Sequence, residues 1–245
     1  MFIHYRTEGL FLRKRDRGEA DQLFTIYTKN FGKLEILGRA IRKIKSKLRA
    51  GAKIFYISDI EFIQGKTNKT LTDALLIEKF GNLRKDLRKF KIAYQASYIF
   101  DDLVRGQEKD ENIWNLLISV FRELDKPELL SDSQNILYYY FLGKLLFFLG
   151  YQPQLYNCIH CQKKLIPDKL YFNFQEGGII CQHCFNKIRK GRIISPEIVK
   201  ILRFILENDF SEVKRLKIEL KHLKDIKTIS DQYLSFLPKS TIPQL

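Results

Sequence analysis

The sequence predicts a two-part fold: a small closed β-barrel followed by an α-helical domain that carries a four-cysteine module. Three observations lead to it. The first 80 residues consist of β-prone segments separated by turn signals, the apolar period then becomes helical, and four cysteines form two C-x-x-C pairs. The predicted domains are residues 1–80 and residues 81–245, with the cysteine-containing module at about residues 156–188.

Five segments of high β propensity follow one another in the first domain. They are Thr7–Arg15, Leu23–Thr28, Lys33–Arg42, Ile54–Ile63 and Leu71–Phe80. Turns that contain glycine or asparagine separate them, and a longer connection follows the third segment. Five strands of this length fit a closed barrel of the OB-fold type. A two-sheet sandwich is the alternative, because periodicity alone does not distinguish the two.

Five helices are predicted from apolar residues at helical spacing. They begin at Leu83, Ile113, Ile136, Ser195 and Ser211. In the first helix the apolar positions are Leu83, Leu87, Phe90 and Tyr94, and in the last they are Val213, Leu216, Leu220 and Leu223. The third helix, which ends at Leu149, is apolar on most faces and is therefore expected to be central. Its 14 residues include Lys144, so it is too short to span a membrane.

All four cysteines belong to the pattern C-x2-C-x19-C-x2-C, which pairs Cys158 with Cys161 and Cys181 with Cys184. Each pair can place two thiolates on one metal ion from a tight turn. The 19-residue gap lets the second pair return and complete a tetrahedron. We expect these four residues to bind one structural Zn²⁺.

Two other uses of paired cysteines fit this pattern less well. A redox C-x-x-C pair needs no second matched pair, and a catalytic zinc keeps one coordination position open. His160 and His183 lie inside the pairs and are expected to face solvent, since four thiolates already complete the set. No other residues form a catalytic pattern, so the sequence does not predict an enzyme.

The segment Arg39–Arg49 is the strongest candidate for nucleic-acid contact. Six of its eleven residues are basic and none is acidic, which suits attraction of a phosphate backbone. The basic residues are Arg39, Arg42, Lys43, Lys45, Lys47 and Arg49, and a second cluster in the first strand comprises Arg13, Lys14 and Arg15. Possible stacking rings are Phe24, Tyr27, Phe55 and Tyr56, although each ring taken singly is more typical of a core.

The overall charge agrees with a polyanionic partner. Among 245 residues the net charge is +15, and 45% are hydrophobic and 13% aromatic, which excludes a disordered chain. Basic residues outnumber acidic ones 17 to 9 in residues 1–80 and 16 to 9 in residues 151–245, whereas residues 81–150 carry 10 of each. Without a membrane span or targeting signal, we expect a soluble, cytoplasmic protein that binds nucleic acid rather than a membrane.

Several short segments, in this order along the chain, carry a family likeness. They are Thr7–Arg13, Gly18–Asp21, Thr28–Lys33, Arg42–Leu48, Leu149–Pro153 and Gly177–Cys184. Together with the first C-x-x-C pair they resemble the RecO (recombination mediator O) family of bacterial DNA repair proteins. The likeness spans most of the chain, and the combination is specific, whereas the paired C-x-x-C alone is not. The chain departs from many family members at Ala40-Ile41, where those members have a Gly-Ala step.

The resemblance implies an OB-fold, a helical C-terminal domain with a zinc module, and a protein that is not an enzyme. Family members bind single- and double-stranded DNA and anneal complementary strands. With RecR they help to load RecA onto strands coated with single-stranded-DNA-binding protein. We therefore expect these partners, and a nucleoid-associated location in a bacterial cytoplasm. The alternatives are a zinc-ribbon protein that acts on RNA or the transcription machinery, and a zinc-dependent hydrolase.

Overall fold

The computed structural model describes residues 3–129 and 131–238. These residues form two compact units that divide between Gln134 and Asn135. The first unit contains five strands and three helices, so the helices that directly follow residue 80 group with the strands that precede them. The second unit contains most of a fourth helix, three short strands with the cysteines, and four further helices.

Five strands of the first unit close into a barrel. They are β1 (His4–Arg17), β2 (Asp21–Thr28), β3 (Gly32–Gly38), β4 (Ile57–Gln64) and β5 (Lys69–Glu78). Their order around the barrel is β1-β2-β3-β5-β4, and β4 pairs again with β1. Every pairing is antiparallel except that of β3 with β5. The predicted barrel is confirmed, and the two-sheet alternative is wrong.

The barrel interior is filled by the inward side of each strand, because alternate residues point to opposite faces. Phe11, Phe24, Ile26, Ile36 and Ile60 are each 0% exposed. The rings of Phe11 and Phe24 meet edge to face with centroids 5.2 Å apart. The aromatic residues at positions 24, 27, 55 and 56 are all buried, so they belong to the core and are not available to stack on bases.

Three helices complete the first unit: α1 (Gly81–Lys85), α2 (Leu87–Leu103) and α3 (Glu111–Asp125). The sequence predicted one helix from Leu83, but Asp86 separates two, because its carboxylate accepts the backbone N–H groups at the start of α2. The predicted apolar face is also wrong at two of its four positions, Leu87 and Tyr94. Leu87 is 87% exposed, whereas Ala93 and Ala96 are fully buried. Alanines add little to a hydrophobic pattern, yet their small side chains allow close packing.

One buried carboxylate ties α2 to the barrel. Asp101 Oδ2 accepts a hydrogen bond from the Arg13 guanidinium at 2.6 Å, and its Oδ1 lies 3.3 Å from the Lys33 ammonium. Lys33 also donates to the backbone carbonyl of Asp101 at 2.7 Å. Strands β1 and β3 are thereby joined to the last turn of α2.

The second unit begins within α4 (Ser131–Phe148), whose residues Ile136, Leu137, Phe141 and Leu145 are buried. Gly150 follows this helix with φ of 76°, and Tyr151 N–H donates back to Leu146 O at 2.7 Å. Because glycine adopts positive φ at no steric cost, this residue ends the helix as the sequence predicted. Among the described residues, none of the helices has the length and apolarity that a bilayer crossing requires.

The remaining elements of the second unit are short. They are β6 (Leu170–Asn173), β7 (Gly178–Cys181), α5 (Gln182–Ile188), β8 (Arg192–Ile194), α6 (Pro196–Glu207), α7 (Phe210–Val213) and α8 (Leu220–Phe236). The strands form one antiparallel sheet in the order β7-β6-β8. We call residues 156–194, which contain this sheet, α5 and both C-x-x-C pairs, the cysteine module.

The last predicted helix is interrupted. Its chain leaves helical conformation between α7 and α8, and Leu220 is 74% exposed rather than buried. The buried side chains of α8 are Ile226, Ile229 and Tyr233. Tyr233 packs edge to face on Phe172 of β6 and donates its hydroxyl to Tyr151 O at 2.9 Å. Contacts within the second unit therefore determine which face of α8 is buried, and the spacing of apolar residues in the sequence did not predict that face.

Candidate metal centre and nucleic-acid interface

The first cysteine pair lies in a tight turn that is fastened to the sheet. Gln162 N–H donates to Cys158 O at 2.9 Å, and Gln162 itself has φ of 58°, which reverses the chain directly after Cys161. Ile159 N–H donates to Ile179 O of β7 at 3.0 Å. The turn that carries Cys158 and Cys161 is thereby held against β7.

The second pair lies at the junction of a strand and a helix. Cys181 is the last residue of β7, and Cys184 falls in the first turn of α5. Gly177, with φ of 68°, makes the turn between β6 and β7. The strand that leads to Cys181 thus returns beside β6, as the 19-residue gap predicted.

All four sulfurs converge on one point. Every Sγ of Cys158, Cys161, Cys181 and Cys184 lies within 4.8 Å of the others, and the Cys161–Cys181 separation is 3.9 Å. Zn–S bonds of about 2.3 Å in a tetrahedron require sulfurs about 3.8 Å apart, so the donor set fits one such ion. Two of the thiols, at Cys158 and Cys184, are buried. The four residues could therefore hold a metal ion.

The surroundings of the thiols favour a thiolate at Cys158. Burial raises the pKa of this thiol, but the backbone N–H groups of Cys161, Cys181 and His160 outweigh burial and lower the pKa to about 6. The Cys181 N–H lies 3.5 Å from the sulfur. Burial, followed by the neighbouring sulfurs, raises the pKa of Cys184. A cation at the centre would offset the repulsion among the thiolates. All four sulfurs could then bind it in the deprotonated form.

The two histidines stay outside the cluster. His183 is exposed, and the His160 ring nitrogen Nε2 lies 3.6 Å from a Glu176 carboxylate oxygen. Four sulfur ligands complete a tetrahedron by themselves. An ion bound here would have no position open for substrate.

The basic loop, Arg39–Arg49, is anchored by two of its apolar residues, Ile41 and Leu48. Ile41 is 2% exposed within the barrel core, and Leu48 packs against the same core. Residues 47–49 form a short 3-10 helix. All six cations of the loop are exposed. The apolar anchors therefore fix the loop while its charges face solvent.

Hydrogen bonds place the start of this loop beside the β1–β2 turn. Ala40 N–H donates to the Asp21 carboxylate at 2.7 Å, and Arg42 N–H donates to Ala20 O at 3.0 Å. Arg42 also lies 3.5 Å from the Asp16 carboxylate, where both side chains are exposed. An exposed pair of this kind holds its partners weakly.

The β4–β5 turn lies at the same end of the barrel and adds cations that the sequence analysis missed. Arg17 donates to the Asn68 side chain at 3.2 Å, which joins the two hairpin turns. A groove of about 500 Å³ is lined by Arg39, Lys66 and neighbouring residues of the β4–β5 turn. Arg17 and Lys66 adjoin turn glycines in the sequence, and only the barrel register brings them near Arg39. In OB-folds these two turns flank the nucleic-acid surface.

The three residues of the β1 cluster do not share one environment. Lys14 is exposed, and Arg15 lies 3.5 Å from Glu35 with both side chains exposed. Arg13 is half-buried and is held by Asp101. Lys14 and Arg15 are therefore open to a ligand, whereas Arg13 already has a structural contact.

The fold and the cluster define a class of protein in which a closed five-stranded barrel precedes a helical region with a four-cysteine metal-binding module. Within that class, comparison with family models identifies one family. The model described as recombination protein O N terminal matches residues 1–80, and the model described as recombination protein O C terminal matches residues 84–237. The chain belongs to the recombination protein O family.

Curated relatives agree with this assignment over nearly the whole chain. A protein named DNA repair protein RecO from Dehalococcoides mccartyi strain 195 is 32% identical over 222 residues, which cover 91% of this chain and 86% of the relative. Proteins of the same name from Bacillus pumilus and Thermoanaerobacter sp. are 30% and 27% identical. These matches cover 93% and 94% of this chain, and 87% and 90% of the relatives.

Proposed function

We propose that this chain is a DNA repair protein that binds DNA and mediates recombination without making or breaking covalent bonds. The observation that carries the proposal is the basic loop at the end of an OB-type barrel: its six cations are exposed, and among the described residues the ion pair shown for them is the exposed one between Arg42 and Asp16. Cations that contact phosphates release condensed counterions, which supplies sequence-independent affinity for DNA. The family assignment supports the same conclusion.

Strand annealing follows from the same charge. Two complementary strands repel each other, and cations on one protein surface lower that repulsion while the bases remain free to pair. In this proposal RecR and the single-stranded-DNA-binding protein direct the chain to coated strands, and RecA is loaded there afterwards. The protein would then be found in the bacterial cytoplasm, at the nucleoid. These partners come from the family resemblance, and a binding assay with each purified partner tests them.

We propose that Cys158, Cys161, Cys181 and Cys184 bind one Zn²⁺ with a structural role. The support is the donor set, four sulfurs within 4.8 Å of one another. Bound zinc would cross-link the junction of β7 and α5 to the turn at Cys158, and these residues would hold it without an exchangeable ligand. Measurement of zinc and of reactive thiols in purified protein tests this. One zinc per chain with four protected thiols is expected, and reactive thiols beside bound zinc would contradict it.

The salt dependence of binding tests DNA contact at the basic loop. Substitution of Lys43, Lys45 and Lys47 by alanine together removes three exposed cations. Each lost phosphate contact should reduce the slope of log K against log salt by about 0.9 on duplex DNA. The matched control substitutes Lys217, Lys221 and Lys224, three exposed lysines outside the barrel, by alanine.

A slope that falls equally in both variants would show that net charge, rather than the loop, determines affinity. Competition with structured RNA distinguishes the zinc-ribbon alternative, in which RNA displaces a DNA strand at equal concentration. Hydrolysis of DNA by purified protein would support the enzyme alternative instead.

A further inference from the structure

Helix α2 presents four side chains that lie outside the core of the first unit and are exposed. Leu87, Tyr94 and Tyr98 are 87%, 52% and 50% exposed, and Lys91 is exposed with them. Their spacing of 4, 3 and 4 residues places them on one face of the helix. We call these four residues the aromatic stripe. The buried residues of α2, among them Ala93, Ala96 and Phe100, lie on its other face, so the stripe is not part of the core.

The ring of Tyr98 is oriented by a cation from the barrel. The Arg13 guanidinium carbon lies 5.3 Å from the centroid of this ring, within the range of a cation–π contact. Arg13 is itself held by Asp101 at 2.6 Å. One side of the ring is therefore supported, while half of the residue remains exposed. An exposed ring with a fixed orientation can accept a planar group at little entropic cost.

The charge along the stripe is positive. Arg88 and Lys91 are exposed, and residues 87–98 include no carboxylate. Asp86, just before α2, is occupied with the backbone N–H groups of the first turn. The next carboxylate on this face is Asp102, one turn after Tyr98, and it marks the end of the stripe.

We propose that the aromatic stripe is a second contact site for single-stranded DNA, where two bases stack on Tyr94 and Tyr98 while Lys91 and Arg88 contact phosphates. The inference rests on the proposed DNA-binding function. Four helical residues separate the tyrosines by about 6 Å along the axis, which suits successive bases of an extended strand. In a duplex the bases are already stacked on each other, so the site selects unpaired strands.

The test uses the full-length chain and a labelled oligo-dT strand, with a duplex of equal length alongside. Tyr94→Ala and Tyr98→Ala should each weaken oligo-dT binding about tenfold and leave duplex binding unchanged. The salt slope should stay at the wild-type value, because a tyrosine releases no counterions. The matched controls Tyr94→Phe and Tyr98→Phe keep a stacking ring and should bind as the wild type does.

A second measurement does not depend on the variants. A strand that carries a photoreactive iodinated base should crosslink to the peptide that contains Tyr94 and Tyr98.

The proposal that the stripe contacts single-stranded DNA would be wrong if both alanine variants bound oligo-dT with wild-type affinity. It would also be wrong if they lost duplex affinity by the same factor. If the phenylalanine controls lost as much oligo-dT affinity as the alanine variants, base stacking on these rings would be excluded. If the wild-type chain binds neither strand nor duplex, the proposed function fails as well. If an acidic protein displaces the labelled strand from the stripe and unlabelled DNA does not, the stripe is a protein interface and the proposal is wrong.

Discussion

In the barrel, strands of 7 to 14 residues close on one another around an apolar interior, whereas the cysteine module has strands of 4, 4 and 3 residues in an open sheet. Burial of large side chains stabilises the barrel, since each can contribute about 1.5–3 kcal/mol. A sheet as short as that of the module cannot bury a comparable core. Its four cysteines, whose sulfurs lie within 4.8 Å of one another, could connect the module through a bound metal ion. The difference predicts that metal loss and core mutation damage different halves of the chain.

The largest effect is expected at the cysteines. If these residues hold zinc as proposed, its removal by a chelator, or Cys158→Ser, should unfold the module around Cys158–Cys184, because a structural zinc supplies folding free energy directly. Hydrogen exchange at Phe172 and Ile179 should lose at least about 4 kcal/mol of protection. Exchange at Phe24 and Leu34 in the barrel should not change.

The control for this experiment is His183→Gln, which alters an exposed residue inside the second C-x-x-C pair. It should retain both zinc and protection. If protection in the barrel falls together with that in the module, the two regions do not fold independently and the comparison fails.

The converse experiment removes a ring from the barrel. Phe24→Ala should destabilise the barrel by about 3–5 kcal/mol, since the ring is fully buried beside Phe11 and its loss leaves a cavity. Urea unfolding monitored by exchange should show this loss while Ile179 in the module stays protected. Leu75→Ala is the matched control in the same barrel, because Leu75 is 52% exposed and its truncation should change stability by less than about 0.5 kcal/mol. Equal effects would deny that core burial stabilises the barrel.

A polar contact in the first unit should come next in size. Asp101→Asn removes the charge that faces Arg13 and Lys33, and the Lys33 side chain is only 13% exposed. Lys33 keeps its hydrogen bond to the backbone carbonyl of residue 101 but loses its counter-charge, and a buried cation without a counter-charge costs about 3 kcal/mol. Glu35→Gln breaks the exposed pair with Arg15 and should cost less than about 1 kcal/mol. Thermal unfolding of the two variants measures the difference, and similar losses would show that burial does not strengthen the Asp101 contact.

Patterns that act over short distances in the sequence predicted most of this structure. Alternating residues in β1 to β5 and the C-x-x-C spacing each depend on local geometry, and both the barrel and the sulfur cluster appear as expected. The exposed face of α2 was predicted wrongly because Ala93 and Ala96, which pack closely, carry little hydrophobic signal. Arg17 and Lys66 were missed because a barrel register brings their turns together, and no local pattern encodes that register.

The smallest effect concerns the backbone of the basic loop. Ala40 has φ of 50°, a left-handed conformation that costs an L-residue about 1–2 kcal/mol. Its hydrogen bond to Asp21 and the burial of Ile41 hold it there. Ala40→Gly should therefore stabilise the barrel by about 0.5–1 kcal/mol, because relief of this strain exceeds the entropy that glycine adds to the unfolded chain.

The matched control for Ala40→Gly is Ala50→Gly, at φ of −69° in the same connection between β3 and β4. No strain is present at Ala50, so only the entropic cost remains, and this variant should lose up to about 1 kcal/mol. Urea unfolding of the barrel gives both values, and opposite signs are expected. A loss of stability in both variants would mean that the contacts of Ile41 and Asp21 do not force Ala40 into a strained conformation. The loop that carries the cations would then be held by its apolar anchors alone.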